Sequence, residues 1–148
     1  MQTGYRDNFA TTVAGCDEGT NVNTIKLSNA VSYSLNGLGY LKAATDNLPF
    51  SAGHTALGNN QRCAFFFCVD AAGNVTTLQS KIVTPSPAGD QRDAAEIPNP
   101  SDRVVLGGLV VTTGAAGVFT PNATDLSAAG VTYTRFNFCG DYGNTLPL

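Results

Sequence analysis

One stretch of uniformly apolar residues limits what this chain can fold into. Residues 63–69 (CAFFFCV) contain no polar side chain other than two thiols, and successive side chains of a β-strand point to opposite faces. As a strand, this run has to be covered on both faces. The polar residues 70–74 (DAAGN) that follow supply the Gly and Asn of a hairpin turn. We therefore predict that the run pairs with the segment after this turn.

The second strand of this predicted hairpin is apolar on one face only. Leu78 lies on that face, whereas Thr77 and Gln79 lie on the other and are expected to be solvated. The mismatch leaves one face of the apolar run without cover from its partner. We interpret it as a subunit contact, with Phe66 and Cys68 on the interface.

Length and composition predict one all-β domain. The chain has 148 residues, of which only 13% are charged, and Thr, Val and Phe alternate with short Gly, Asn and Pro turns. Asn36-Gly37 is a type I′ hairpin signal. About eight short strands, with turn signals every 8–12 residues, favour an antiparallel β-sandwich or barrel of jelly-roll-like form.

The N-terminal 21 residues lack a clean hydrophobic period, so we expect an arm over residues 1–21 and a single β domain over residues 22–148. Tyr5 and Phe9 would be poorly placed in solvent. The arm either docks on a neighbouring molecule or caps the domain's own sheet, and both interpretations stay open.

The longest interruption of the strand pattern is a Pro-rich loop over residues 84–102. Loops of this length are usually functional or linkers. Asp90, Arg92 and Asp93 lie in it and are candidate partner contacts. A solvated crossover between two sheets is the equal alternative. The acidic residues lack the order of a calcium-binding loop.

Residues 103–113 (RVVLGGLVVTT) form a second run that is apolar on both faces. The paired Gly107 and Gly108 predict a bulge, a bend or a close backbone approach within this strand. The segment lacks the lysine of a phosphate-binding loop.

The four cysteines are consistent with small buried hydrophobic residues. Cys63 and Cys68 cannot pair with each other in one strand, because they lie on opposite faces and about 16 Å apart. A disulfide from Cys16 or Cys139 to one of them, or to a neighbouring subunit, is the alternative. Without a C-x-x-C pair, a zinc site is poorly supported.

No residue pattern indicates an enzyme or a cofactor. The sole histidine, His54, lies in a polar loop with no nucleophile or acid at a suggestive spacing, so we expect it to be solvated. No G-x-S-x-G motif occurs, and the adjacent carboxylates Asp17 and Glu18 would face opposite ways in an extended chain.

Nucleic acid, membrane and export are not indicated either. The net charge is −3 and the basic residues are spread singly, which disfavours a nucleic-acid partner. No run approaches the ~20 apolar residues of a membrane span, and no signal-peptide pattern follows Met1. We expect a protein that is made and kept in a cytoplasm, or that leaves it by a route other than a cleaved signal.

A carbohydrate-binding β-sandwich is a further alternative, because such modules stack sugars on surface aromatic side chains. The chain has no Trp, but Tyr33, Tyr40, Tyr133 and Tyr142 could serve.

Four segments resemble the small virion proteins of tailed bacteriophages, in particular head-decoration (cement) and fibre proteins. They are LNGLGYLKAATDNLPF, CAFFFCVDAAGNVTT, IPNPSDRVVLGGLVVTT and FTPNATDLSAAGVTYTRFNF. The likeness covers residues 22–138 and consists of segment order and composition. It implies a non-enzymatic, β-rich, often trimeric protein, made in the host cytoplasm and located on the virion. Its partner would be the major capsid protein or another virion protein. A fibre or receptor-binding module is the alternative within this resemblance.

Overall fold

The computed structural model describes residues 8–85, 94–140 and 143–148, and within them the chain is all-β without a helix. The strands are β1 (Phe9–Ala10), β2 (Cys16–Glu18), β3 (Ile25–Leu27), β4 (Val31–Leu35), β5 (Leu38–Lys42), β6 (Thr45–Leu48), β7 (Arg62–Asp70), β8 (Val75–Gln79), β9 (Ala94–Glu96), β10 (Arg103–Thr113), β11 (Val131–Asn137) and β12 (Thr145–Pro147).

These strands form an open, sandwich-like arrangement of antiparallel sheets. A four-stranded sheet has the order β11-β10-β7-β8, two three-stranded sheets have the orders β1-β4-β5 and β2-β3-β6, and β12 pairs with β9 in a ribbon. The prediction of an all-β, sandwich-like fold is confirmed, and a closed barrel is not formed. Five of the twelve described strands, β1, β2, β6, β9 and β12, were not predicted because they are too short for an alternating pattern.

The first core lies between the four-stranded sheet and the two three-stranded sheets. Phe65 and Phe67 of β7 enter it from one side, and Ile25, Val31 and Tyr33 enter it from the other, all at most 2% exposed. Burial of this many large side chains is the main source of stability for the domain.

The second core lies on the opposite face of the four-stranded sheet, beneath the β9–β12 ribbon. Phe66 and Cys68 are fully buried there against Ala95 and Ile97, with Leu146 packed at the side. The expectation that Phe66 and Cys68 face a neighbouring subunit is corrected by this packing. Their cover comes from a distant part of the same chain, and the short strands that supply it were not predicted.

Thr77 lies on the face of β8 that is expected to be solvated, but it is buried. Thr77 lies directly across from Phe67 and is only 2% exposed, whereas Leu78 lies across from Phe66 and packs against the second core. The expectation of a solvated Thr77 is therefore wrong. Its hydroxyl satisfies polar groups of a neighbouring loop, as described below, so it can occupy the edge of an apolar core.

The glycine pair in β10 forms the predicted bulge. Pairing with β7 shifts register between Val105 and Gly107, and Gly107 has a φ of 139°. An extra residue in one strand reverses the alternation of its side chains. As a result Leu106 and Leu109, three positions apart, both face the first core.

The first described residues belong to the β domain. β1 pairs with β4, β2 pairs with β3, and Ala10 and Cys16 are buried in the first core. Residues 8–21 therefore do not form a separate arm. The predicted hairpin at Asn36-Gly37 is confirmed, since both residues have a positive φ, 53° and 79°.

Candidate functional site: a preformed loop platform

Three loops are bound to one another by side-chain and backbone hydrogen bonds, and we call residues 19–24, 49–61 and 114–130 the loop platform. Asn122 connects all three. Its Nδ2 donates to the Phe50 carbonyl at 2.8 Å, and its Oδ1 accepts from the Phe50 amide at 2.7 Å. Asn23 Nδ2 donates to the Asn122 carbonyl at 3.1 Å. The side-chain amide of Asn122 thus pairs with the Phe50 backbone in the way that a backbone peptide group would.

Backbone pairing reinforces the contact between the two longer loops. Leu57 and Phe119 exchange two backbone hydrogen bonds, of 2.8 and 3.0 Å, and both side chains are fully buried. The Asn60 amide donates to the Gly114 carbonyl at 3.0 Å. The ring of Phe119 also packs edge-on against Phe50, with centroids 5.8 Å apart. These contacts fix the platform to the first core.

Strand β6 anchors the shortest loop. The amide of Thr20 donates to Asp46 Oδ1 at 2.9 Å, and its hydroxyl donates to Oδ2. The amide of Asn21 donates to Asn47 Oδ1 at 2.7 Å. The hydrogen bonds from Thr20 lower the pKa of Asp46, so this carboxylate stays ionised as an acceptor.

The platform surface is nearly uncharged. Asp125 is its only Asp, Glu, Lys or Arg residue. Val22 and Val118 expose 36% and 49% of their surface on it. A hydrogen-bonded, nearly uncharged surface of small polar and apolar side chains is suited to a protein contact, since it loses little conformational entropy and little charge solvation on binding.

His54 belongs to the platform and is half-buried, which corrects the expectation of a solvated loop histidine. Its Nε2 lies 2.7 Å from Thr77 Oγ1, and its ring packs edge-on to Phe65 at 5.4 Å. Burial lowers the pKa of the imidazole. Ser51 completes the contact, because its amide donates to the Thr77 hydroxyl and its own hydroxyl accepts from the Thr77 amide, each at 2.8 Å.

Three of the four thiols are enclosed by the fold. All four are free; Cys16, Cys63 and Cys68 are buried, and Cys139 is exposed. Burial raises the pKa of Cys63 to about 11 and of Cys68 to about 12, and it raises that of Cys16 further. A thiol with such a pKa holds almost no thiolate at neutral pH.

A cluster of polar side chains joins β2 to β11. The Tyr133 hydroxyl donates to Glu18 Oε2 at 3.0 Å, and Arg135 forms a 2.6 Å ion pair with Asp17. Burial first, and then the hydrogen bond to Glu18, raises the pKa of Tyr133 to about 12. These contacts cover the edges of two sheets and are structural.

The residues predicted as partner contacts are not brought together among the described residues. Phe9 is half-buried in β1, and Phe66 and Cys68 lie inside the second core. Tyr5, Asp90, Arg92 and Asp93 lie outside the described residues. Of the tyrosines considered for sugar stacking, Tyr33 is buried with its hydroxyl donating to the Asp70 carbonyl, and Tyr142 is outside the described part. Tyr40 stacks on Tyr33 at 5.4 Å.

Sequence reasoning missed the loop platform. The signal for it was a set of asparagines at loop positions, since Asn60 and Asn122 adopt the left-handed backbone conformation that Asn tolerates. Which loops such residues connect depends on pairings across 72 residues, as between Phe50 and Asn122, and local patterns carry no such information.

Within the described ranges, no group of three or more His, Cys, Asp or Glu side chains is placed to hold a metal ion. No helix long and apolar enough to cross a membrane occurs among them. The class that fold and surface define is an all-β, sandwich-like protein with a preformed loop surface. Comparison with family models, curated protein sequences and solved structures finds no match to the chain.

Proposed function

We propose that this chain is a non-enzymatic virion protein that decorates a bacteriophage head, binding the major capsid protein through its loop platform as an oligomer. The observation that supports it best is the hydrogen bonding of the nearly uncharged platform, where asparagine side chains hold three loops together. A preformed surface of this kind gains affinity because little order has to be imposed on binding.

A decoration protein acts through linkage. When the decoration protein binds only one state of the shell, it stabilises that state. The stabilisation grows with the logarithm of the ratio of its free concentration to its dissociation constant. An oligomer on a repeating lattice adds avidity, so that each contact can be weak. The described chemistry agrees with this role, since the buried thiols, His54 and the Tyr133 cluster all serve packing or hydrogen bonding.

The test is binding to emptied, expanded heads of the tailed phage whose genome encodes the chain. Sedimentation of the full chain with these heads should show saturable binding. Thermal unfolding of the complex should show a raised melting temperature of the shell. Val22→Asp with Val118→Asp places two carboxylates on the platform, and we expect binding about tenfold weaker or more.

Val13→Asp is the matched control. Val13 is 45% exposed and lies outside the platform, so this variant should bind like the wild type. Absence of binding by the wild-type chain would refute the proposed function. Equal loss in the control and the platform variant would refute the platform as the contact surface.

A further inference from the structure

Strand β5 is an edge strand whose outward side no other described segment covers. Within the described part of the chain its one partner is β4, in the register Leu35↔Leu38, Tyr33↔Tyr40 and Val31↔Lys42. In a two-residue hairpin the residues flanking the turn exchange hydrogen bonds, and bonded pairs then alternate with non-bonded ones. The amides and carbonyls of Gly39 and Leu41 consequently point away from β4, and within the described ranges no hydrogen bond from another segment reaches them.

The edges of β1 and β8, by contrast, are occupied by other segments of the chain. The Gly140 amide donates to the Ala10 carbonyl of β1 at 2.7 Å. The Thr77 amide of β8 donates to the Ser51 hydroxyl, and Gln79 exchanges two 2.8 Å hydrogen bonds with the Thr55 backbone. Uncovered strand edges are templates for pairing, and proteins generally protect them. The edge of β5 has no such cover from another described segment.

The side chains of β5 make this edge apolar. Leu38 and Leu41 are 61% and 73% exposed, more than any other large apolar side chain among the described residues. Gly39 has no internal reason to be glycine, because its φ is not positive and an added Cβ would meet nothing within 4 Å. A glycine inside a strand weakens it, and often marks a site of close approach by another backbone.

We propose that β5 pairs antiparallel with β5 of a second copy of the chain, across a two-fold axis at Tyr40. In this register Gly39 and Leu41 of one copy form hydrogen-bonded pairs with Leu41 and Gly39 of the other. The outward amide and carbonyl groups of both residues are then all hydrogen-bonded. A two-fold contact is self-complementary, as an isologous interface requires.

The same register matches side chains across the axis. Each Leu41 lies opposite a Gly39 of the second copy and can lean over it, because the glycine has no side chain. Lys42 lies opposite Leu38, so the two ammonium groups do not face each other and the aliphatic part of each lysine covers a leucine. The Tyr33–Tyr40 stack within each copy is left intact. The inference does not depend on the proposed function.

Sedimentation equilibrium of the full chain in reductant tests the contact. A five-residue strand pair is smaller than a standard interface of about 1,600 Å², so concentrations up to about 1 mM are used. We expect a reversible dimer. Leu41→Lys and Gly39→Pro should each raise its dissociation constant about tenfold or more, because one places a charge at the contact and the other removes an outward amide that the second copy would use.

Both variants leave the single chain intact, since Leu41 is exposed and Gly39 has free space around it. Val13→Lys, at an exposed site elsewhere, is the control and should leave the dimer unchanged. Hydrogen exchange should slow at the Gly39 and Leu41 amides as concentration rises, but not at those of Leu38 and Tyr40. A monomer at the highest concentration, a trimer, or a dimer that both variants leave unchanged would each overturn the proposal.

Discussion

The Thr77 hydroxyl is one of the groups that hold the platform loop of residues 49–61 to the four-stranded sheet. Thr77 Oγ1 accepts a hydrogen bond from the Ser51 amide at 2.8 Å and lies 2.7 Å from His54 Nε2. When the imidazole is neutral with its proton on Nδ1, the hydroxyl donates to Nε2. The polar groups on the buried side of this loop are thereby hydrogen-bonded without any charge.

This arrangement predicts that stability falls as the solution is acidified. The folded pKa of His54 lies below its ordinary value of 6.5, so on acidification the unfolded chain takes up a proton first. Stability is unaffected above about pH 7 and decreases between pH 6.5 and the folded pKa. Urea unfolding from pH 7.5 to 5 measures it, and NMR of the sole imidazole gives the folded pKa. His54→Gln should remove the pH dependence in this window, and a folded pKa above 6.5 would contradict the prediction.

The alternation pattern could not have given the burial of Thr77. It correctly put Thr77 and Leu78 on opposite faces of β8, but polarity alone does not say which face the core covers. Thr77 can be buried because Ser51, in a loop 26 residues away, supplies its hydrogen-bond partners. The same holds for His54, whose local sequence is polar and whose neighbour Phe65 belongs to a strand.

Among the elements, the β10 bulge makes the strongest prediction. An alanine at Gly108 would place its Cβ in overlap with the Phe65 carbonyl oxygen, and backbone cannot yield as a flexible side chain does. We expect Gly108→Ala to lower the free energy of unfolding by about 3 kcal/mol or more. Urea denaturation measures the change.

Gly114→Ala is the control for this prediction. The nearest atom to its added Cβ is 3.8 Å away, an ordinary contact, and its φ is not positive. Such a substitution should be neutral or stabilising by up to about 1 kcal/mol. Equal stability of the two alanine variants would contradict the close approach of β10 to β7.

Long elements were predictable and short ones were not. The apolar runs at residues 63–69 and 103–113 and the turn at Asn36-Gly37 contain their own signals, and each formed the element expected. β9 and β12 have three residues each and pair across the sequence, with Ala95 opposite Leu146. Because their stability comes from covering Phe66 and Cys68, no local pattern marks them.

At the scale of the whole molecule, the two cores share β7 and β10 but differ in how they are closed. Whole three-stranded sheets cover the first core, whereas the second is closed by a ribbon of short strands together with Phe136, Phe138 and the C-terminal residues. Few buried contacts and short strands are typical of segments that open below the global free energy of unfolding. The ribbon is thus expected to detach before the main sandwich unfolds.

Thiol labelling of the native protein can test this order of opening. A Cys139→Ser variant removes the exposed thiol and leaves Cys68 in the second core and Cys63 and Cys16 in the first. We expect Cys68 to react with a disulfide reagent at least about tenfold faster than Cys63, despite its higher pKa, because only the ribbon has to open. Mass spectrometry of the labelled peptides measures each rate. Equal rates for Cys68 and Cys63, both matching global unfolding, would show instead that the two cores form one cooperative unit.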